Sequence, residues 1–367
     1  MNYGMRKMKI YFIMNSLNDA HANKRAADFK KQGHEVRMFG FLRHQHIKFD
    51  NGAEVIGQFT ADTRYRNRVK IYLKGLRSLF KREKDPSVVW YYQGLDVALF
   101  ATLLNPNNKY IYEECDLVHT YMGSKWISSI FEKIDKRIIR KSLSTVTTSE
   151  GFINYHYQSA DLAPGHVVLV PNKLSSAILD YGEFHEPQAD MSHLRFAFVG
   201  GLRYKALLSI ADIISREFPQ HEFHFYGFVD ANFSDDMLPR RANIFYHGPF
   251  ISPDHLYDIY QNVDLLISTY DITSMNVRFA EPNKLYEAIY FRCPIIVSSG
   301  TFLASKVRRK GIGYDVDAFS REDVIRLVNS IPESYQQKKE NLRSIAKAEA
   351  LDDVSYVTDI LKNFPRK

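Results

Sequence analysis

The chain has 367 residues, 45% hydrophobic and 25% charged, a globular composition long enough for two domains with separate cores. Its longest apolar stretch, residues 88–104, is interrupted by Gln93 and Asp96, and no charged-then-apolar leader opens the sequence, so neither a bilayer span nor a secretory leader is expected. Cys115 and Cys293 are the only cysteines, which excludes a disulfide framework or a structural zinc site and suits a reducing cytoplasm.

The net charge of +7 is uneven: residues up to about 180 hold 27 Lys and Arg against 17 Asp and Glu, and the remainder 22 against 25. The first half is therefore expected to face something anionic.

Lys9 to Asn15 reads as a first strand, a helix follows from about Ala22 to Gln32, and Glu35 to Gly40 is the second strand, which makes a βαβ opening. The loop Ser16 to His21 lies at the carboxyl end of the first strand, where open parallel sheets bind ligands, so Asn15 and His21 are acceptor-side candidates. It lacks the spaced glycines of a dinucleotide site, so no nicotinamide cofactor is expected. Residues 63–84 form a basic amphipathic helix, with Arg66, Lys70, Lys74, Arg77 and Lys81 flanking Val69, Leu73, Leu76 and Phe80. It either covers the sheet with a solvated cationic face or lies against an anionic membrane or lipid diphosphate. No nucleic-acid module accompanies the charge, and no nucleic-acid partner is expected.

Val88 to Gln93 is a strand and Gly94 to Leu103 a helix. The strand Lys109 to Tyr112 empties into Glu113, Glu114, Cys115 and Asp116, whose carboxylates at a strand mouth mark an acceptor site or a solvated loop. A helix from Ser124 to Lys141, a strand Thr145 to Thr148, a Ser149-capped helix and a strand Val167 to Val170 complete the first domain, and residues 175–192 read as an irregular linker.

The second domain restarts with a strand Arg195 to Val199 and the loop Gly200-Gly201-Leu202-Arg203-Tyr204-Lys205, where two glycines admit a ligand and Arg203 and Lys205 bring positive charge. A helix Ala206 to Glu217, strands at 222–226, 244–247 and 265–268, and a helix Pro253 to Asn262 follow. Asp235-Asp236 reads as a surface turn, and no metal is expected there.

From Glu281 to Thr301 the chain reads as loop, helix and strand: Pro282 suits a first helical turn, Asn283 can cap its amides, and Lys284 and Glu287 share its face at three- and four-residue spacings. A helix start of this kind favours a phosphate. Ile295 to Ser298 is a buried parallel strand, and helical segments from Arg321 close the chain. The expected architecture is α/β: two Rossmann-like, doubly wound parallel-sheet domains facing across a cleft, at 1–175 and 176–350, with 351–367 a terminal helix packing back on the first.

In order and spacing, Phe-Val-Gly-Gly-Leu-Arg-Tyr-Lys from 198, Phe-Tyr-Gly from 225, Tyr-His-Gly from 246, Asp-Leu-Leu-Ile-Ser from 264 and Pro-Asn-Lys-Leu-Tyr-Glu-Ala from 282 resemble the retaining glycosyltransferases of the GT-B architecture, specifically family four, over nearly the whole second half. Tyr-Glu-Glu-Cys-Asp-Leu from 112, Thr-Ser-Glu from 148 and Val-Pro-Asn-Lys from 170 look like the family's acceptor loop, helix cap and interdomain junction.

The resemblance implies transfer of a sugar from a nucleotide diphosphate sugar to a lipid-linked or saccharide acceptor in surface polysaccharide synthesis, without cofactor or metal. Glu287 would hold the ribose, and Arg203 and Lys205 the diphosphate. Gly200, Gly201, Glu281, Asn283 and Lys284 would line the donor site, with Tyr226 and Phe250 bordering the base. Asp116 and Glu113 would orient the acceptor hydroxyl, whose proton passes to the leaving phosphate. The sequence departs from the family's paired glutamates, with Phe279 at the first position and Glu281 two residues later, and Cys115 stands where many members have a histidine. A nucleotide-sugar 2-epimerase of the same architecture and a noncatalytic sugar-nucleotide-binding protein remain the alternative functions.

Overall fold

The structure is a computed structural model that describes residues 7–43, 52–60, 63–158, 162–230, 237–362 and 364. Asp235-Asp236 lies outside the described residues. The chain divides into two compact units, Met1–Pro171 with Asp353–Lys367, and Asn172–Asp352.

The first unit contains β1 (Lys9–Met14), α1 (Ala20–Lys31), β2 (Glu35–Leu42), β3 (Glu54–Gln58), α2 (Tyr65–Arg82), β4 (Val88–Gln93), α3 (Leu95–Leu104), β5 (Tyr110–Glu114), α4 (Lys125–Lys141), β6 (Ser144–Thr147), α5 (Glu150–Phe152) and β7 (Val167–Leu169). All seven strands pair in parallel in the order β3-β2-β1-β4-β5-β6-β7. Every residue of β4, β5 and β6 is buried, as befits central strands covered on both faces. The edge strand β3 escapes a sequence reading because its five residues are half or fully exposed and carry no apolar run.

The second unit contains β8 (Arg195–Val199), α6 (Lys205–Glu217), β9 (Glu222–Tyr226), β10 (Ile244–Gly248), α7 (Leu256–Tyr260), β11 (Leu265–Ser268), α8 (Met275–Phe279), α9 (Lys284–Phe291), β12 (Ile295–Ser298), α10 (Phe302–Lys310), β13 (Gly313–Val316) and α11 (Arg321–Ser344). Its six parallel strands run β10-β9-β8-β11-β12-β13. The final helix, α12 (Ser355–Leu361), belongs to the first unit, where Tyr356 donates to Asp28 at 2.7 Å and its ring lies 4.8 Å from the Arg25 guanidinium.

In each sheet the chain starts at a central strand, winds outward to one edge, then returns to fill the other side. The direction reverses between β1 and β4 in the first unit and between β8 and β11 in the second. Loops diverge at such a point and leave room for a ligand at the carboxyl ends of the strands.

Two expectations are corrected here. Residues 175–192 are no linker: Ile178 is fully buried and Phe184 nearly so, both in the core cluster beside α9. Their apolar residues lack a period, so the sequence hides the packing. The helix expected over 253–262 shortens to α7, because 252–255 form turns.

Candidate functional site

The six-stranded sheet gathers three loops at its reversal point. β8 ends in Gly200, whose N–H donates to the Tyr226 carbonyl at 2.7 Å, and Gly227 returns the chain beside it. A Cβ on Gly227, at φ +141°, would stand 1.8 Å from the Gly200 oxygen, so only glycine fits this crossing. Arg203 and Lys205 leave this loop exposed, with the Arg203 Nε donating to the Tyr204 hydroxyl at 3.0 Å.

α6 begins at Lys205, and its first amides already hold an anion. Asp271, from the loop after β11, accepts from the Lys205 N–H at 3.1 Å and the Ala206 N–H at 2.8 Å. The carboxylate answers the orphan donors and the positive end of the helix dipole. Asp271 sits three residues beyond an ordinary strand, and nothing in the sequence marks it for this role.

α9 brings the third component. Asn283, Lys284 and Glu287 meet as their helical spacing predicts: the Asn283 amide donates to Glu287 Oε1 at 2.8 Å and Lys284 Nζ to the same oxygen at 2.6 Å. Tyr260, from α7, donates to Oε2 at 2.5 Å. Asn283 thus does not cap the amides as expected; its backbone is already helical and its side chain is spent on Glu287. Glu287 is only 2% exposed, and the Tyr260 hydroxyl resists ionisation because of burial and the adjacent carboxylate.

The Lys284 stem ties α9 to the glycine loop, since its Cε lies 3.9 Å from where a Gly200 Cβ would stand. Half-buried Tyr270 links the same parts: burial raises its pKa, while the fields of Glu287 and Arg203 act on it in opposite directions. Glu281 is 3% exposed, accepts from the Tyr286 hydroxyl, and is ion-paired to Lys306 of α10 at 2.5 Å, an interaction the sequence did not disclose.

Tyr226 and Phe250 lie apart from this cluster, on a cavity of about 560 Å³ along the outer face of β9 and β10 beside α7. The Tyr226 ring stacks on His247 at 4.2 Å, and Arg195, Glu222 and Asp258 supply charge. Burial lowers the pKa of His247 and of His224, so both favour the neutral imidazole. The Tyr226 carbonyl, bonded to Gly200, joins cavity and loop.

The first unit places its candidates at the matching edge. Asn15 follows β1, with its Oδ1 accepting from Tyr72 at 2.5 Å; His21 is exposed in the first turn of α1; Asp116 is exposed just beyond β5. Glu113 is corrected from acceptor contact to buried counter-ion: it is fully buried, with Oε1 on Arg25 Nε at 3.1 Å and Oε2 on the Tyr91 hydroxyl at 2.8 Å. Burial opposes the Arg25 charge, but the Glu113 carboxylate, Tyr91 and Tyr356 together outweigh it and the guanidinium pKa rises.

Glu114 belongs to a second buried network, with the Tyr157 hydroxyl on its carboxylate and Asp135 beside it. Asp135 accepts from Tyr112 at 2.9 Å and contacts His156 Nε2 at 2.8 Å. Burial, then Asp135, push the Glu114 pKa well above the ordinary carboxylate range, so it holds a proton. Burial likewise keeps the Cys115 thiol neutral.

No protein-family model and no curated protein sequence matches the chain. Solved structures do match over nearly its whole length. A sucrose-phosphate synthase from Thermosynechococcus elongatus aligns with a TM-score of 0.69 at 13% identity, covering 97% of this chain and 98% of that one. Anabaena HepE in complex with UDP and glucose aligns at 0.65 and 14%, with the same coverage. UDP-GlcNAc 2-epimerase from Neisseria meningitidis bound to UDP-GlcNAc aligns at 0.60 and 12%, covering 97% of this chain and 100% of that one. With the two reversing parallel sheets, these likenesses establish the GT-B fold.

Proposed function

We propose that this protein is a glycosyltransferase that moves a sugar, with retention, from a nucleotide diphosphate sugar to the hydroxyl of a lipid-linked or saccharide acceptor in surface polysaccharide assembly at the cytoplasmic side of a membrane. The observation that carries the reading is the convergence of the Gly200-Gly201 loop, Lys284 and Glu287 at the reversal point of the second sheet. The GT-B fold, shared with proteins whose structures hold UDP or UDP-sugars, supports it.

As the bond to the sugar breaks, negative charge grows on the departing diphosphate. Arg203 and Lys205 are exposed beside the loop to receive it, and Lys284 adds a buried cation. Such preplaced donors stabilise the transition state more than the ground state, without a metal. Glu287 fixes Lys284 and takes ribose hydroxyls by exchanging one of its three donors. Tyr226 and Phe250 border the base. On the acceptor side Asp116 orients the hydroxyl, whose proton passes to the leaving phosphate.

Epimerisation at C2 of the donor sugar is the second reading, favoured by epimerases among the structural neighbours. Phe279 at the first glutamate position motivates a third, sugar-nucleotide binding without turnover. Incubation with a labelled nucleotide sugar and an acceptor separates all three. A transferase releases nucleoside diphosphate and labels the acceptor, an epimerase returns an isomeric nucleotide sugar, and a binder returns the starting material. Either of the last two outcomes overturns the proposal.

A further inference from the structure

In the first unit, α4 is amphipathic in an unusual way. Its buried residues, Asp135, Ile138 and Ile139, all lie in its second half. The opposite face begins apolar: Trp126 is 73% exposed and Ile130 37%, Ile127 on the adjoining flank is 40% exposed, and Tyr121, just before the helix, is 53% exposed. Along the same outward stripe, at three- and four-residue spacings, come exposed Lys133, Arg137 and Arg140, and Lys125 flanks Trp126. A water-facing helix has no use for an indole and two isoleucines at one end, and such residues mark a surface awaiting a partner.

We infer that the outward face of α4 docks on an anionic lipid bilayer, with Tyr121, Trp126, Ile127 and Ile130 entering the headgroup region and the lysines and arginines engaging lipid phosphates. The residue types commit the face to this occupant. An indole and a phenol with an apolar body and a polar tip suit the interface, and long cationic side chains extend from beside them toward phosphate. The acidic residues on the helix do not oppose it: Asp135 is buried in its own network, and Glu132 is paired with Lys136 at 2.7 Å.

The place in the fold agrees. β5 runs through Cys115 and Asp116 into a 3-10 turn, Val118–Tyr121, and Ser128 of α4 donates to the His119 carbonyl at 2.8 Å, so the apolar patch is held against the segment leading from the acceptor edge. A lipid-borne acceptor would be presented where Asp116 stands. The other basic helix, α2, differs: Leu76, Leu79 and Tyr72 of its apolar stripe are buried and Phe80 packs edge-on to Trp90 at 5.0 Å, so its greasy side is occupied by the sheet. The inference deepens the proposed function by choosing a lipid-borne acceptor, but docking itself requires no turnover.

Trp126 supplies its own reporter. The chain has two tryptophans, and Trp90 is 4% exposed. In the Trp90→Phe protein, emission is expected to shift to the blue on adding vesicles of phosphatidylglycerol in phosphatidylethanolamine, to be quenched by brominated acyl chains, and to stay put with phosphatidylcholine alone. Combined Trp126→Ala, Ile127→Ser and Ile130→Ser changes in the wild-type chain should weaken co-sedimentation with the anionic vesicles about tenfold or more. UDP binding of that variant should be unchanged, which shows it folded and keeps this result separate from the donor-site reading. Absence of a shift and of co-sedimentation overturns the inference. So does a shift that follows protein concentration without lipid, which would mean that a second copy covers the face.

Discussion

Each unit buries carboxylates near the carboxyl edge of its parallel sheet, yet they serve different ends. In the first, Glu113 faces Arg25 and Tyr91 inside a closed cluster that also reaches Val170 and, through Arg25, Tyr356 of α12. Its charge is consumed in joining β5, α1 and the final helix. In the second, Glu287 is equally buried, but the cation that neutralises it sits against the glycine loop, within reach of a ligand there. Burial alone therefore does not separate structural from functional acids; what matters is whether the counter-ion has a second face.

Removing one member of each pair gives the sharpest contrast. Glu113→Ala strands a buried guanidinium and should lower unfolding free energy by about 3–5 kcal/mol in denaturant titrations, without changing UDP affinity per folded molecule. Lys284→Ala also breaks a buried pair, and in addition it should reduce kcat/KM for transfer per folded molecule by about 100-fold or more, an effect on charge stabilisation. If the two variants show the same balance of stability and activity, the distinction fails. Tyr260→Phe removes one of three donors to Glu287 and should cost about 1 kcal/mol of stability, read by the same denaturant titration.

A smaller effect comes from Glu114. Its folded pKa is raised above its ordinary value of 4.5, so the folded state binds a proton that the unfolded state releases, and stability falls as pH rises from that value toward the folded pKa. Glu114→Gln mimics the protonated form. It should raise the thermal midpoint at neutral and alkaline pH and leave it nearly unchanged around pH 4. An equal shift at every pH would show that Glu114 is ionised in the folded protein.

Much of this was legible in the sequence where local spacing governs the outcome. Asn283, Lys284 and Glu287 meet because helical spacing makes residues three and four apart neighbours, and the buried strands β4 and β12 announce themselves as apolar runs. Partners from distant segments were not legible. Tyr260 on Glu287, Asp271 on the start of α6, Lys306 on Glu281 and Arg25 on Glu113 are each set by which strands lie side by side, and no local pattern encodes that. Glu113 reads as an acceptor residue for this reason: three acids at a strand mouth look like a site until their counter-ions are known.

The central claim, that the Gly200 loop grips a nucleoside diphosphate, is tested most directly by calorimetric titration of UDP into the wild-type chain and the Arg203→Ala, Lys205→Ala double variant, whose altered side chains are exposed. The wild-type chain should bind one UDP and the variant should bind it about tenfold or more weakly, with an unchanged melting curve in the absence of ligand. Equal affinity in the two proteins would contradict it.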